Sequence, residues 1–154
     1  MTTRQLQPFD RIERPRYAWI AAGLEVFTAV GAIPVGLLFL SDPTGASVGL
    51  PHGWIERTPF GSYIVPGLYL VAVNGLAMLV AAWLIVRRRA AAPWLTGMLG
   101  IGLVIWILVQ VAVLPELSSL QAVFAAVGLA LIAVSIAWLR RFGRAPVTSR
   151  RLAA

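Results

Sequence analysis

The sequence contains no cysteine, no lysine and a single histidine. The absence of cysteine excludes disulfides, thiolate catalysis, iron–sulfur clusters and cysteine-ligated zinc or haem. One histidine cannot form a histidine-rich metal site. Charged residues are also scarce, since they make up 12% of the chain, whereas a soluble domain has about 25%. The chain therefore lacks the ligands of common metal sites and the charge needed to cover a water-soluble surface.

Apolar residues are abundant instead. They account for 59% of the 154 residues, and the mean hydropathy is +0.82. Ordinary soluble domains are about 45–50% apolar. This composition excludes soluble enzymes, disordered chains and collagen-like chains, and it predicts an integral membrane protein.

Four apolar runs are long enough to cross a bilayer, which takes about 20 residues. The predicted spans are residues 18–40, 62–86, 93–114 and 120–139. The segments around them are an arginine-rich N-terminus (1–17), an outer loop (41–61), an arginine loop (87–92), an outer turn (115–119) and an arginine-rich tail (140–154). Because the last two connections are short, neighbouring spans must run antiparallel. The predicted fold is all-α, an integral membrane four-helix bundle of up-down-up-down topology.

The arginines predict the orientation of these spans. Twelve of the 13 lie in the segments on one side of the membrane, and Arg57 is alone on the other. The positive-inside rule then places both termini in the cytoplasm. The first run is too long for the apolar core of a signal peptide, so we expect an uncleaved span. Arginines beside apolar runs are typical of bilayer anchors and not of nucleic-acid binding, and they favour anionic lipids at the cytoplasmic face.

Glu25 is the only acidic or basic residue inside the predicted spans. It lies about 10 Å deep, where a carboxylate costs roughly 2.5–3.5 kcal/mol and usually faces the bundle interior. We predict an intramembrane polar site in which Glu25 meets Thr28, Asn74 or Thr96. Protonation of Glu25, hydrogen bonds from these groups and an arginine reaching in from the inner rim are all open at this point. Three roles follow: a proton relay, a helix–helix hydrogen bond or a contact with a partner subunit.

A weaker polar cluster is predicted on the outer face. Its members are Asp42, His52, Glu56, Arg57 and Glu116. Such residues suit acid–base or hydrolytic chemistry, but their spacing matches no known metal-ligand pattern. Capping of the loop by Asp42 is the simpler interpretation. The sequence therefore predicts no catalytic, cofactor-binding or metal-binding residue, and it favours a protein that is not an enzyme.

Small residues form faces on two of the predicted helices. We expect Ala22 and Ala29 on the first helix, and Ala126 and Ala130 on the fourth, to lie where helix backbones approach closely. Lipid supplies no hydrophobic drive between helices, so such faces mark packing surfaces. They serve either the bundle itself or docking to another protein.

Several short motifs resemble a known group of proteins. They are Asp42-Pro43-x-Gly45, Gly49-Leu50-Pro51, Thr58-Pro59-Phe60, Tyr63-x-x-Pro66-Gly67-Leu68 and Trp106-x-x-x-Gln110. Over nearly its whole length the chain resembles small four-helix membrane proteins of high-GC actinobacteria, and more loosely DoxX-type proteins. The resemblance implies this topology and a bacterial plasma membrane location, with no catalytic residue attached.

Three functions are compatible with these features. The leading hypothesis is an accessory or scaffolding subunit that docks on a larger membrane complex, for example an envelope lipid transporter or a respiratory assembly. The second is a small proton-coupled transporter or channel that uses Glu25, as a monomer or homo-oligomer. The third is an outer-face membrane enzyme that uses Asp42, His52 or Glu56. A water-accessible cavity that reaches Glu25 would favour the second over the first.

Overall fold

Four long helices dominate the computed structural model, which describes residues 11–50, 55, 60–114 and 118–143. Their bounds are Ala18–Ser41 for α1, Ile64–Val86 for α2, Ala92–Val113 for α3 and Ser119–Gly143 for α4. Each is long and apolar enough to cross a membrane. The predicted all-α, four-helix, multi-pass membrane fold is therefore confirmed. One short 3₁₀ turn, Ala46–Val48, lies in the loop after α1.

The bundle consists of two helical hairpins, α1 with α2 and α3 with α4. Each hairpin has a pair of glycines where the backbones meet. A methyl group on Gly36 would lie 2.9 Å from the Gly67 carbonyl oxygen, and one on Gly100 would lie 2.9 Å from that of Gly128. Since helices in lipid associate through close van der Waals packing, these glycine pairs set the spacing within each hairpin.

Helix α2 is irregular in its middle third. It is α-helical over Ile64–Tyr69 and Met78–Val86, but the segment Leu70–Ala77 between them is π-helical. Gly75 lies in this segment, and a methyl group there would clash with the Ile33 side chain of α1. π-Helical turns are rare and are frequent at functional sites. Nothing in the sequence analysis predicted this segment.

The arginine-rich end of the bundle is tied together by residues 11–16, which we call the N-terminal strap. The Arg14 guanidinium donates to two carbonyl oxygens at the end of α2, at 3.3 and 3.4 Å. On the other side, the Trp138 indole Nε1 of α4 donates to the Glu13 carbonyl oxygen at 3.3 Å. Ile12 is buried in the core between these contacts. The strap therefore connects the first described residues to the last helix.

Candidate functional site

Glu25 is fully buried on α1 and contacts α3. The Thr96 hydroxyl of α3 donates a hydrogen bond to Glu25 Oε1 at 2.7 Å. The other carboxyl oxygen, Oε2, has no hydrogen-bond partner among the described residues. Among the partners predicted for Glu25, Thr96 is the one that forms a hydrogen bond with it. Arg14 instead places its guanidinium 3.9 Å from the centre of the Trp19 ring. The Glu25–Thr96 bond therefore joins the two hairpins through one buried polar contact.

Thr28 and Asn74 are also buried, but neither has a hydrogen bond to Glu25. The Thr28 hydroxyl donates to the Leu24 carbonyl oxygen one turn earlier in α1, at 2.8 Å. Asn74 lies in the π-helical segment of α2, and its Oδ1 has no partner among the described residues. The predicted polar site thus divides into a Glu25–Thr96 pair and two polar side chains that face a neighbouring cleft.

This cleft lies between the two hairpins, towards the end of the bundle that carries the loop after α1. We call it the loop-end cleft, and its volume is about 680 Å³. All four helices contribute to its walls, with Ala32, Leu70, Ile107 and Phe124 as examples, and Ile55 contributes from the loop. Its polar lining residues are Thr28, Tyr63, Asn74, Gln110, Ser118 and Gln121. Glu25 is not among the described residues that line it.

The two seams between the hairpins differ. Between α2 and α3, the rings of Tyr69 and Trp106 stack with centroids 4.5 Å apart, and Tyr69 donates to the Gly102 carbonyl oxygen at 3.1 Å. Between α1 and α4, the rings of Phe27 and Phe124 stack with centroids 5.9 Å apart, and beyond this stack the lining residues Val35 and Leu120 remain 39% and 63% exposed. An aromatic pair therefore bridges the cleft at each seam, and the α1–α4 side is open between Val35 and Leu120.

Asp42 organises the turn that follows α1. Its carboxylate accepts hydrogen bonds from the Thr44 hydroxyl at 2.6 Å and from the Ser47 backbone N–H at 2.8 Å. These bonds, from Thr44 first and Ser47 second, lower the pKa of Asp42 from its ordinary value of 3.8. The same turn packs against Tyr63 at Gly45, which has a φ of +79°. A side chain at this position would clash with the Tyr63 ring, so the contact requires glycine. Asp42 thus holds the loop against the outer end of the cleft.

The remaining members of the predicted outer-loop cluster are His52, Glu56, Arg57 and Glu116, which lie outside the described residues. Within the described ranges, no group of three or more His, Asp or Glu residues is placed to hold a metal ion. The Asp42 oxygens are occupied by hydrogen bonds within their own turn. What the structure describes of this cluster is therefore the Asp42 turn alone.

The predicted alanine faces lie differently on the two helices. Ala22 and Ala29 are buried in the core on α1. On α4, Ala126 is exposed and Ala130 is only partly buried. The bundle-facing side of α4 is formed instead by Val127, Gly128, Leu131 and Ser135. Glycine accounts for this difference between the helices, since it lets the α3 and α4 backbones approach more closely than alanine would.

No family model, curated protein or solved structure matches the chain. Function must therefore be inferred from the residues and their geometry. Sequence reasoning missed two features of this region, the buried Tyr63 hydroxyl and the π-helical segment that carries Asn74. A tyrosine at the predicted start of a span is typical of an interfacial aromatic belt, so its sequence position gave no reason to expect a buried hydroxyl.

Proposed function

We propose that this protein is a small, non-catalytic membrane subunit that docks on a larger membrane complex through one face of α4. The observation that carries the proposal is the outward position of the α4 alanine face, by which we mean Ala122, Ala126, Ala130, Ala133 and Ala137. Four of these residues are exposed and Ala130 is partly exposed. The face is left over after α4 has packed against α3.

Small residues on the outside of a bundle favour association with another helix. In lipid, the gain on association comes from backbones that approach closely, and alanines allow this approach where leucines prevent it. Elsewhere the exposed surface of the helices carries bulky side chains such as Trp94, Met98 and Leu108. The α4 alanine face therefore differs from the rest of the lipid-facing surface in shape and not in polarity.

The proposed setting is a bacterial plasma membrane, with both termini on the cytoplasmic side. The clustering of arginines at one end supports this orientation. The same arginines suit anionic lipids at that face. The partner is then a polytopic complex that offers a complementary helix within the same bilayer, with a homo-oligomer as the smaller alternative.

Co-purification from native membranes tests the docking proposal. We expect the tagged wild-type protein to bring down a stoichiometric membrane complex in mild detergent, and Ala126→Leu to reduce its recovery about tenfold or more. Ala72→Leu is the matched control, because Ala72 is an exposed alanine in the middle of α2. A lone wild-type monomer would overturn the proposal, and so would equal recovery with Ala126→Leu and Ala72→Leu.

Proton-coupled transport through Glu25 is the second candidate. The observation that favours it is a fully buried carboxyl group with one oxygen unpartnered among the described residues. Intramembrane carboxyl groups of this kind serve as proton carriers in pumps and transporters. In proteoliposomes with an entrapped pH-sensitive dye, this candidate predicts a proton flux that Glu25→Gln abolishes and Thr28→Val leaves intact. Wild-type liposomes that are no leakier than empty ones would eliminate it.

A further inference from the structure

Two buried polar atoms without partners lie at opposite ends of the loop-end cleft. Tyr63 is 5% exposed and Asn74 is 2% exposed. Both residues line the cleft, and neither Tyr63 Oη nor Asn74 Oδ1 has a hydrogen-bond partner among the described residues. Buried polar atoms in folded proteins are normally paired, so an unpaired one needs an explanation.

The positions of these two residues along α2 indicate the length of the cleft. Tyr63 immediately precedes α2, and Asn74 follows eleven residues later on the same helix. Their backbones are therefore about 16 Å apart along the axis. The walls are mostly apolar, with Leu70 on one side and Ile107 across the cleft. Two of the other polar lining residues are already hydrogen-bonded within the protein, Thr28 to the Leu24 carbonyl oxygen and Gln121 to the Ser118 N–H. The cleft is thus a mostly apolar slot in which Tyr63 and Asn74 carry the buried polar atoms without partners among the described residues.

Size and access also fit a small-molecule ligand. A volume of about 680 Å³ lies within the range of roughly 300–1,000 Å³ typical of ligand pockets, which are mostly apolar with few, well-placed polar groups. The open α1–α4 side, between Val35 and Leu120, faces the region occupied by lipid chains. A membrane-dissolved molecule can therefore enter without passing through water.

We propose that the loop-end cleft binds one elongated amphiphile, with its hydrocarbon body between the hairpins, a hydroxyl group donated to Asn74 Oδ1 and a second polar group bonded to Tyr63 Oη. Asn74 Oδ1 only accepts, so the inner end of the ligand must carry a donor. Tyr63 Oη both donates and accepts, which admits a hydroxyl or a carbonyl at the outer end. The site is independent of the α4 alanine face, because Phe124 and Gln121 line the cleft while Ala122 and Ala126 point outwards.

Native mass spectrometry of the protein in nanodiscs tests this site with three probes of equal chain length. They are dodecane, dodecanol and dodecanediol with a hydroxyl group at each end. We expect one dodecanediol per protein chain, bound about tenfold or more tightly than dodecane, with dodecanol intermediate. Asn74→Leu and Tyr63→Phe each remove one polar end at similar size. Each is expected to weaken diol binding to about the level of dodecanol while leaving dodecane binding unchanged.

Two further variants separate the cleft from other surfaces. Ala32→Phe fills the cleft from α1 and is expected to abolish binding of all three probes, whereas Ala72→Phe on the exposed side of α2 is not. Thermal unfolding of each variant shows whether it is folded. Diol binding that survives Ala32→Phe in a folded protein would place the ligand elsewhere and overturn the proposal. A diol preference that neither Asn74→Leu nor Tyr63→Phe reduces would also overturn it.

Discussion

The environment of Glu25 shows how a carboxyl group is accommodated among apolar helices. One oxygen accepts a hydrogen bond from Thr96 across the interface between the hairpins, at 2.7 Å. The nearby Thr28 hydroxyl is committed to its own helix, through the Leu24 carbonyl oxygen. Two threonines of similar burial therefore have different roles, one between helices and one within a helix.

This difference predicts unequal effects of the same substitution. Thr96→Val removes the donor to Glu25 and leaves both carboxyl oxygens unpaired, so we expect it to lower the free energy of unfolding by about 1 kcal/mol. Thr28→Val removes only a bond within α1, and the Leu24 carbonyl oxygen keeps its backbone hydrogen bond in the helix. We therefore expect this variant to lower the free energy of unfolding by only about a few tenths of a kcal/mol. Unfolding in mixed micelles at increasing denaturing-detergent fraction measures both. Equal losses would contradict the assignment of Thr96 as the link between hairpins.

Asp42 gives a prediction for pH. Its folded pKa lies below the ordinary value of 3.8, because Thr44 and Ser47 donate to its carboxylate. The carboxylate therefore stabilises the turn fully above pH 3.8, and this contribution is lost as the pH falls through the lowered folded pKa. We expect the amide resonances of Thr44 and Ser47 to shift together in that acidic window. Asp42→Asn, which cannot titrate, should abolish the shared transition, and a transition that persists in this variant would assign it to another group.

At the scale of the helices, glycine pairs set the closest approach within each hairpin. In each hairpin the backbones touch at a glycine pair, Gly36 with Gly67 and Gly100 with Gly128. Gly97 adds a close contact with Ser135, whose hydroxyl donates to the Pro93 carbonyl oxygen at 2.7 Å. The helices of each hairpin are thus held at a distance that a single methyl group would increase.

Alanine substitutions at two glycines of α1 should therefore have opposite effects. A methyl group on Gly36 would lie 2.7 Å from a Val71 methyl carbon and 2.9 Å from the Gly67 carbonyl oxygen. Gly36→Ala is expected to destabilise the fold by about 1–3 kcal/mol through overpacking. Gly23 has open space around it, so Gly23→Ala should stabilise α1 by about 0.5–1 kcal/mol. Thermal unfolding of the two variants in one detergent gives the comparison, and a destabilising Gly23→Ala would show that α1 packs against something on that side.

The sequence was sufficient to predict the helices but not their fine geometry. Long apolar runs predict the positions of the membrane-spanning helices, because bilayer thickness sets the length that such a run needs. The contact of Glu25 with Thr96 was also within reach, since a buried carboxyl group must find a donor. The outward orientation of Ala126 could not be predicted, because α4 carries both glycines and alanines at helical spacing and either set can face the neighbouring helix. The π-helical segment around Asn74 could not be predicted either, because the run is apolar on every face and its sequence shows no change of period there.

At the scale of the whole molecule, the two ends of the bundle have different characters. One end carries the N-terminal strap and Arg87, Arg88 and Arg89. The other carries the Asp42 turn and the open side of the loop-end cleft. This polarity predicts that ligands enter from the leaflet farther from the arginines and that partners at the arginine-rich end contact the strap.

Cysteine labelling can establish which end faces the cytoplasm, because the chain has no cysteine of its own. Ala46 and Arg141 are exposed at opposite ends of the bundle. We expect Ala46→Cys to react with a membrane-impermeant maleimide in intact cells, and Arg141→Cys to react only after permeabilisation. The reverse pattern would invert the orientation inferred from the positive-inside rule. Labelling of both positions in intact cells would indicate damaged membranes or mixed insertion, which a cytoplasmic marker protein distinguishes.

The N-terminal strap also imposes an order in time on synthesis. The hydrogen bond from Trp138 to Glu13 joins residues 125 positions apart. At a synthesis rate of about 5–20 residues per second, Trp138 is made on the order of ten seconds after Glu13. Until α4 has been translated and inserted, the beginning of the chain lacks this attachment. A chain that stalls before α4 therefore holds its strap only through contacts with the end of α2, such as those of Arg14 with the Ile85 and Val86 carbonyl oxygens.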